Sequence, residues 1–379
     1  MDCCRSTVCY INFDQMDINL ETLKEKINNE CEVMVVLKAD GYGHGAPQMM
    51  KHFLKKGINW FAVAAVNEAM QLRKLNKEGE ILVLGYTPDR LLHYAAENNV
   101  TQTVYSYQQA KILSDLNMNA KIQIKVDTGM NRLGFAVCEE SADEVKKIFD
   151  LPSLQIEGVF SHMAQLDAEH DELQYQKFEE FLRLCKDRGV TFKRRHLCNG
   201  KSAIKYPHMR YEMCRAGSVI TGFCLNVPGT DAIQPGMTVE TEIVRIHTVP
   251  AGEGMGYDLL DHADHDRVIA TLPFGYADGI PKALSNHVGW VVIGGEKCEY
   301  TGNFCMDMCM CDITHLKDVK VGDKVQVYGG EGGMNFFDLR EKSGIGLSNL
   351  QILLHKRVPR VYIENGQEIY CEDSLLESY

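Results

Sequence analysis

The stretch VVLKADGYGHGA, residues 35–46, sets one lysine at the end of an apolar run and follows it at once with a glycine-broken turn. Residues 34–37 read as a buried strand. Lys38 stands where that strand stops, and Gly41, Gly43 and Gly45 bend the chain and let backbone N–H groups approach a bound group closely. A lysine at the mouth of a buried strand is poorly hydrated, so its pKa falls toward the range where the neutral amine attacks carbonyl carbons. The window alone fits equally well a surface lysine that snorkels beside a loop.

Outward from this window, short apolar runs alternate with longer amphipathic ones. Strands are predicted over 34–37, 60–65, 80–84, 101–105, 121–126, 154–160, 192–197 and 211–214. Helical spacing and charge fill 67–76, 108–116, 139–149 and 170–188. This alternation predicts an α/β fold, a (β/α)8 barrel of the TIM type over 11–235. Such barrels carry their chemistry at the C-terminal ends of the strands. Lys38, the run from Asp127 to Arg132, His162, Asn199 and Arg215 all fall there.

After about residue 235 the pattern changes to β-type runs over 239–249, 266–272, 288–293, 324–328 and 358–363. They predict a C-terminal antiparallel β domain over 236–379, with 1–10 attached and a strand over 8–13 pairing into it. GGEGGMN, 329–335, has the glycines of a phosphate loop but neither its Lys-Ser/Thr nor a following apolar helix, so it reads as a hairpin or loop turn.

The 379 residues leave room for two domains, at roughly 100–200 residues each. A net charge of −12 argues against nucleic acid or an anionic membrane as partner. The N-terminal MDCCRSTVCYINFD lacks the apolar core of a signal peptide, and no apolar run reaches the ~18–20 residues of a bilayer span. A cytoplasmic protein is expected. The fourteen cysteines form no pair of CxxC units and read as reduced, buried small hydrophobes.

Several segments carry candidate chemistry. KIQIKVDTGMNRLGF, 121–135, gathers Lys125, Asp127, Thr128 and Arg132 over one loop, and the arginine fork suits a carboxylate or a phenolate. His162 follows an apolar strand, where a lone histidine is more often structural than catalytic. CRAG, 214–217, can present backbone N–H groups to a phosphate at a helix start, with Gly217 permitting close approach. HLCNGKSAI, 196–204, offers a second small polar turn of that kind. Tyr257 is presented from the glycine-rich EGMGYDLL, 253–260. DHADHD, 261–266, resembles a metal cluster in composition, but on an exposed turn it reads as solvated, and no metal is expected.

Taken in order, INFDQMDINLETLK, VVLKADGYGHG, VDTGMNRLG, FSHMAQLD, CRAGSVITG, LPFGYADG, CMDM and KRVPRVY resemble the alanine racemases, pyridoxal-phosphate enzymes built of a barrel and a β domain. The resemblance runs nearly end to end. It implies interconversion of L- and D-alanine by a two-base mechanism, supplying D-alanine for peptidoglycan. It also implies pyridoxal 5'-phosphate as cofactor, a small amino-acid substrate, and a homodimer whose β domain completes the partner's active site. Lys38 would hold the cofactor and act as one base. Tyr257, 19 residues before Tyr276, would be the other. Tyr42, Gly217 and Ser218 would hold the phosphate, with Asn199 and Ser202 as candidates. Arg215 would face the ring nitrogen. Arg132 would bind the cofactor phenolate and the substrate carboxylate, assisted by Met306 and Asp307. His162 would link Tyr257 to Arg215, and Lys125 matches a lysine carbamylated in many members.

Two departures stand out. Asn-Gly-Lys-Ser at 199–202 replaces the family's common Asn-Ser, and Lys356 sits where some members have a tyrosine that limits side-chain size. The second leaves serine, or a broader range of amino acids, open as substrate. A non-catalytic pyridoxal-phosphate carrier would end near residue 235, and a related decarboxylase would set an acid rather than Arg215 at the ring nitrogen.

Overall fold

The computed structural model describes residues 3–224, 226–330 and 332–376. The chain divides into two compact units, one of 18–233 and one of 1–17 with 234–379.

In the first unit, eight strands run in one parallel sheet. They are Glu32–Val36, Trp60–Val63, Glu80–Val83, Val100–Val104, Ala120–Lys125, Leu154–Phe160, Arg195–His196 and Met213–Ala216. Each pairs with the next through the seventh, and the first pairs with the eighth, Glu32 opposite Met213. The seventh and eighth meet through a single bridge, Asn199 opposite Arg215, with the Arg215 N–H donating to the Cys198 carbonyl at 3.1 Å. The seventh strand is much shorter than the 192–197 expected. Arg194 pairs with Glu157 and Arg195 with Glu212. Met34, Val36, Trp60, Ala62, Leu82, Phe160 and Met213 fill the interior as a packed core.

The second unit is a ten-stranded sheet. The N-terminal strand Val8–Asn12 lies between Met237–Glu242, antiparallel, and Arg360–Glu364. The latter pair is parallel, the one departure from an antiparallel sheet in the pairings described. The expected run 239–249 breaks at Ile243 into Met237–Glu242 and Arg245–Val249, which have different partners. Glu296–Thr301, Cys309–Asp312 and Gln367–Glu372 are strands that the apolar pattern does not announce. A separate two-stranded ribbon, Gly254–Met255 with Asp261–His262, carries the Tyr257 turn. Phe274, Tyr300 and Phe304 pack edge to face in the core, with centroids of Tyr300 and Phe304 4.6 Å apart.

The GGEGGMN segment is a turn, with Glu331 outside the described residues, but a helix does follow it. Phe336–Ser343 starts on an Asn335 cap, whose side chain accepts from the N–H groups of Phe337 and Asp338. The capping box Asn335–Asp338 is the signal that apolar content alone does not give. Among the described residues no helix is long and apolar enough to cross a membrane.

Candidate active site

The first strand ends at Val36, and Lys38 opens a tight turn, Lys38–Tyr42. That turn is left-handed throughout its middle: Ala39, Asp40, Gly41 and Tyr42 all have φ between 52° and 62°. Only Gly41 takes this conformation freely. The three others cost ~1–2 kcal/mol each, so the surroundings must impose it. Glu68 does part of this, accepting from the N–H groups of Ala39, Ala64 and Ala65 and so knitting the loops after the first two strands. The Asp40 carboxylate accepts from the Ala46 N–H.

The turn leaves Lys38 half-buried. Burial, and then the charges of Arg132 and Arg215, lower its pKa. It sends Tyr42 back toward the eighth strand, where a Cβ on Gly217 would lie 2.3 Å from the Tyr42 hydroxyl. Gly217 is therefore glycine because another side chain touches its backbone. Gly217–Gly222 is a succession of tight turns rather than a helix start, with Ile220 N–H donating to the Gly217 carbonyl. Asn199 caps a short helix, Gly200–Lys205, by accepting from the Ser202 N–H, and the Ser202 hydroxyl accepts from Gln165 at 2.8 Å.

Arg215, 4% exposed, is the hub. Its Nη1 donates to His196 Nδ1 at 2.8 Å and to the His196 carbonyl. Its Nη2 donates to the carbonyls of Ser161 and Leu197, both at 2.8 Å, and to His162 Nδ1 at 3.1 Å. Nε is the guanidinium nitrogen left without an acceptor among the described residues. Burial lowers its pKa to about 10, still a cation at neutral pH. Since arginine only donates, both histidines must accept at Nδ1 and carry their proton on Nε2. His196 passes that proton to Gln123 Oε1 at 2.6 Å and stacks on Phe160. Burial and the Arg215 charge push His162 down to about 3, so its Nε2–H is a neutral donor.

Lys125 is buried and donates to the Val126 carbonyl at 2.6 Å. Burial, then Arg215, takes its pKa to about 7. Asp127 folds the loop beneath Arg132 by accepting from the N–H groups of Gly129, Asn131 and Arg132. The guanidinium of Arg132 has no hydrogen-bond partner among the described residues and lies exposed.

His196 and Gln123 escape a reading focused on strand ends. The signal for them is period two: Lys121, Gln123 and Lys125 alternate with Ile122 and Ile124, and Arg194 and His196 share one phase.

In the β unit, Tyr257 stands 62% exposed and Met306 51%. Met306 and Asp307 are fixed from below. Asp278, whose side chain is 1% exposed, binds Arg5 and Arg357, and Arg357 reaches on to Asp307 at 2.8 Å and to the Met306 carbonyl. Among the described residues no group of histidines, cysteines and acids is placed to hold a metal.

The profile of the alanine racemase N-terminal domain matches residues 11–224, and that of the C-terminal domain matches 236–362. The chain belongs to the alanine racemase family. It is 36% identical to the alanine racemase of Clostridium tetani over 94% of this chain and 95% of that one. The solved alanine racemase of Clostridium difficile 630 superposes with a TM-score of 0.92 at 30% identity, covering 98% of this chain and 99% of that one. The alanine racemase of Bacillus anthracis with bound L-Ala-P gives 0.91 at 27% identity, covering all of both chains. As a member of this family the protein is an enzyme, an isomerase.

Proposed function

We propose that the protein interconverts L- and D-alanine with pyridoxal 5'-phosphate, using Lys38 and Tyr257 as its two bases, and supplies D-alanine for peptidoglycan. The observation that carries this reading is the company Lys38 keeps. Its ammonium form is disfavoured, cations crowd it, and its own turn presses Tyr42 onto Gly217. A lysine so placed is a nucleophile toward an anionic carbonyl compound.

The donor set suits the cofactor. Tyr42 and the backbone N–H groups of Gly217 and Ser218, which have no acceptor among the described residues, would take the phosphate. Ser202 has a hydroxyl proton to give, because it accepts from Gln165. The remaining Nε–H of Arg215 would face the ring nitrogen and, as a permanent cation, would not protonate it. When bound, pyridoxal phosphate supplies the carbonyl that Lys38 attacks and the electron sink that acidifies the amino acid's Cα–H. Arg132 would hold the substrate carboxylate with its free fork. Lys38 would remove the Cα proton of D-alanine, and Tyr257 that of L-alanine from the opposite face.

A phenol is a weak acid, with pKa ~10, so a tyrosine base needs a donor or cation at its oxygen. The His162 Nε2–H, held in place by Arg215, would provide it. Exposed Tyr257, Leu259, Leu260, Met306 and Met308 fit a surface covered by a second copy, whose barrel would receive Tyr257. A lysine near pKa 7 has the free amine that carbon dioxide needs, which favours carbamylation of Lys125. All fourteen cysteines are free thiols, in keeping with a reducing cytoplasm.

Borohydride reduction of the yellow protein with peptide mapping, beside D/L assays on alanine, serine and larger amino acids, tests the reading. Label on Lys38 with alanine racemised fastest is expected. Label elsewhere overturns the cofactor assignment, and label without racemisation makes the protein a carrier. Faster turnover of serine transfers the substrate.

A further inference from the structure

We propose that the Asp261 carboxylate is the positioning group of the Tyr257 turn. The proposal rests on the reading of Tyr257 as a base. It starts from DHADHD, 261–266, whose side chains turn out to have separate duties. Asp266 accepts from the Ala251 N–H at 3.0 Å, and exposed Asp264 pairs with Arg267 and His265. Among the acids and histidines of the segment Asp261 alone is buried, at 6% exposure.

Its location gives it leverage over the turn. Asp261 lies opposite Met255 in the small ribbon, and the residues between them form the turn. That turn does not hold itself. Gly256, Asp258 and Leu259 have φ of 73°, 63° and 48°, and Leu259 is a residue that avoids this region. The turn's own contacts are slight: Leu259 N–H to the Gly256 carbonyl at 3.2 Å, and Asn303 Nδ2 to the Tyr257 carbonyl at 3.4 Å.

Asp261, by contrast, has three partners on three segments. Thr301 Oγ1 donates to its Oδ2, His287 Nε2 meets the same oxygen at 3.0 Å, and Arg267 Nη1 donates to Oδ1 at 3.2 Å. Thr301 Oγ1 also lies 3.6 Å from Met255 Sδ, so one hydroxyl touches both strands of the ribbon. The floor beneath is close: a Cβ on Gly302 would come within 2.7 Å of the Met255 carbonyl. The charged neighbours are Arg267, Asp264, His287, Glu299 across His287, and Asp312 across Arg267. Burial would raise the Asp261 pKa, but the Thr301 and His287 contacts outweigh it and keep the carboxyl below the ordinary carboxylate value. A turn displaced by about 1 Å would misplace the phenol enough to cost ~10²-fold in rate.

The test is Asp261→Asn, with Thr301→Val as a second variant that keeps the carboxylate and Thr301→Ser as the conservative control. Amide exchange over residues 256–260, read in apoprotein and in holoenzyme, should quicken at least tenfold in the first two variants and stay at wild-type rates in Thr301→Ser. In holoenzyme, kcat should fall about 10- to 100-fold with KM within twofold. The isotope effect from Cα-deuterated L-alanine should rise, and that from D-alanine should not. Unchanged exchange over 256–260 and unchanged isotope effects, whatever happens to Tm, would overturn the proposal. Quickened exchange in Asp261→Asn, with Tyr257→Phe still removing the L-alanine proton at the wild-type rate, would keep Asp261 as the anchor and remove Tyr257 as the base.

Discussion

At the barrel rim Lys125 and Arg215 are buried and hydrogen-bonded, whereas Tyr257 stands exposed on a strained turn whose firmest hold lies at Asp261, four residues beyond it. The rim assembles Lys38, Lys125, Arg132 and Arg215, and the carboxylate in its loop, Asp127, is engaged by three backbone N–H groups. Burial, and then the neighbouring guanidinium charges, depress the pKa of Lys38 and of Lys125. A barrel of this kind is preorganised by its own residues. The exposed tyrosine turn has no such company in its own unit, and the role proposed for it would need a surface that covers it.

The sharpest way to break this contrast is Tyr257→Phe. Racemisation should fall about 10²- to 10⁴-fold, the usual worth of a general base. Exchange of the D-alanine Cα proton with D2O, the half assigned to Lys38, should survive. Equal loss of exchange from both enantiomers would mean that the turn is part of the barrel's machinery after all.

Arg215→Ala attacks the rim instead. It removes the donor to two histidine nitrogens and three carbonyls. At ~1–3 kcal/mol per buried group left unpaired, a loss of about 3 kcal/mol or more is expected in urea unfolding. Asp278→Ala asks the same of the β unit. The variant strands Arg5 and Arg357, and because both are partly exposed the cost should sit near the lower end of ~3–5 kcal/mol. If Arg215→Ala costs less than Asp278→Ala, the rim is not the more rigid region.

The last test concerns pH. Lys125 is held near pKa 7 in the fold against 10.5 as its ordinary value, so between those limits the unfolded chain binds the extra proton. Stability from this group therefore rises with pH across that window, and its penalty is complete below it. With carbon dioxide excluded, so that the amine is free, Lys125→Met should lack that rise when unfolding is compared at pH 6.5 and 9.5. Parallel pH profiles would mean that the lysine is not titrating there.

The barrel was legible because several of its strands, Glu32–Val36 and Trp60–Val63 above all, carry apolar runs, and because chemically distinctive residues, Lys38, His162 and Arg215 among them, fall at or near strand ends. The β unit was less so. EKCEYT turns Lys297 and Glu299 to solvent on either side of buried Cys298, and QEIYCE has no buried residue at all, so neither registers as an apolar run. His196 and Gln123 were missed for a related reason: polar residues alternating along a strand look like a wet outer face, when here they point into the ring. The left-handed turn at Ala39–Tyr42 had no local signal beyond its glycines, since alanine, aspartate and tyrosine hold those angles only under constraint from neighbours such as Glu68.

The two-residue seventh strand has a consequence for how the ring fails. Every other join in the barrel is a ladder, while the seventh and eighth strands share one bridge, at Asn199 and Arg215. The Arg215 side chain crosses that seam and fastens onto the carbonyls of His196 and Leu197 on the far side. The guanidinium is thus the buckle of the ring. Opening the ring at that seam would break the contacts of its most highly connected side chain, so a lesion there would loosen closure and the proposed site together.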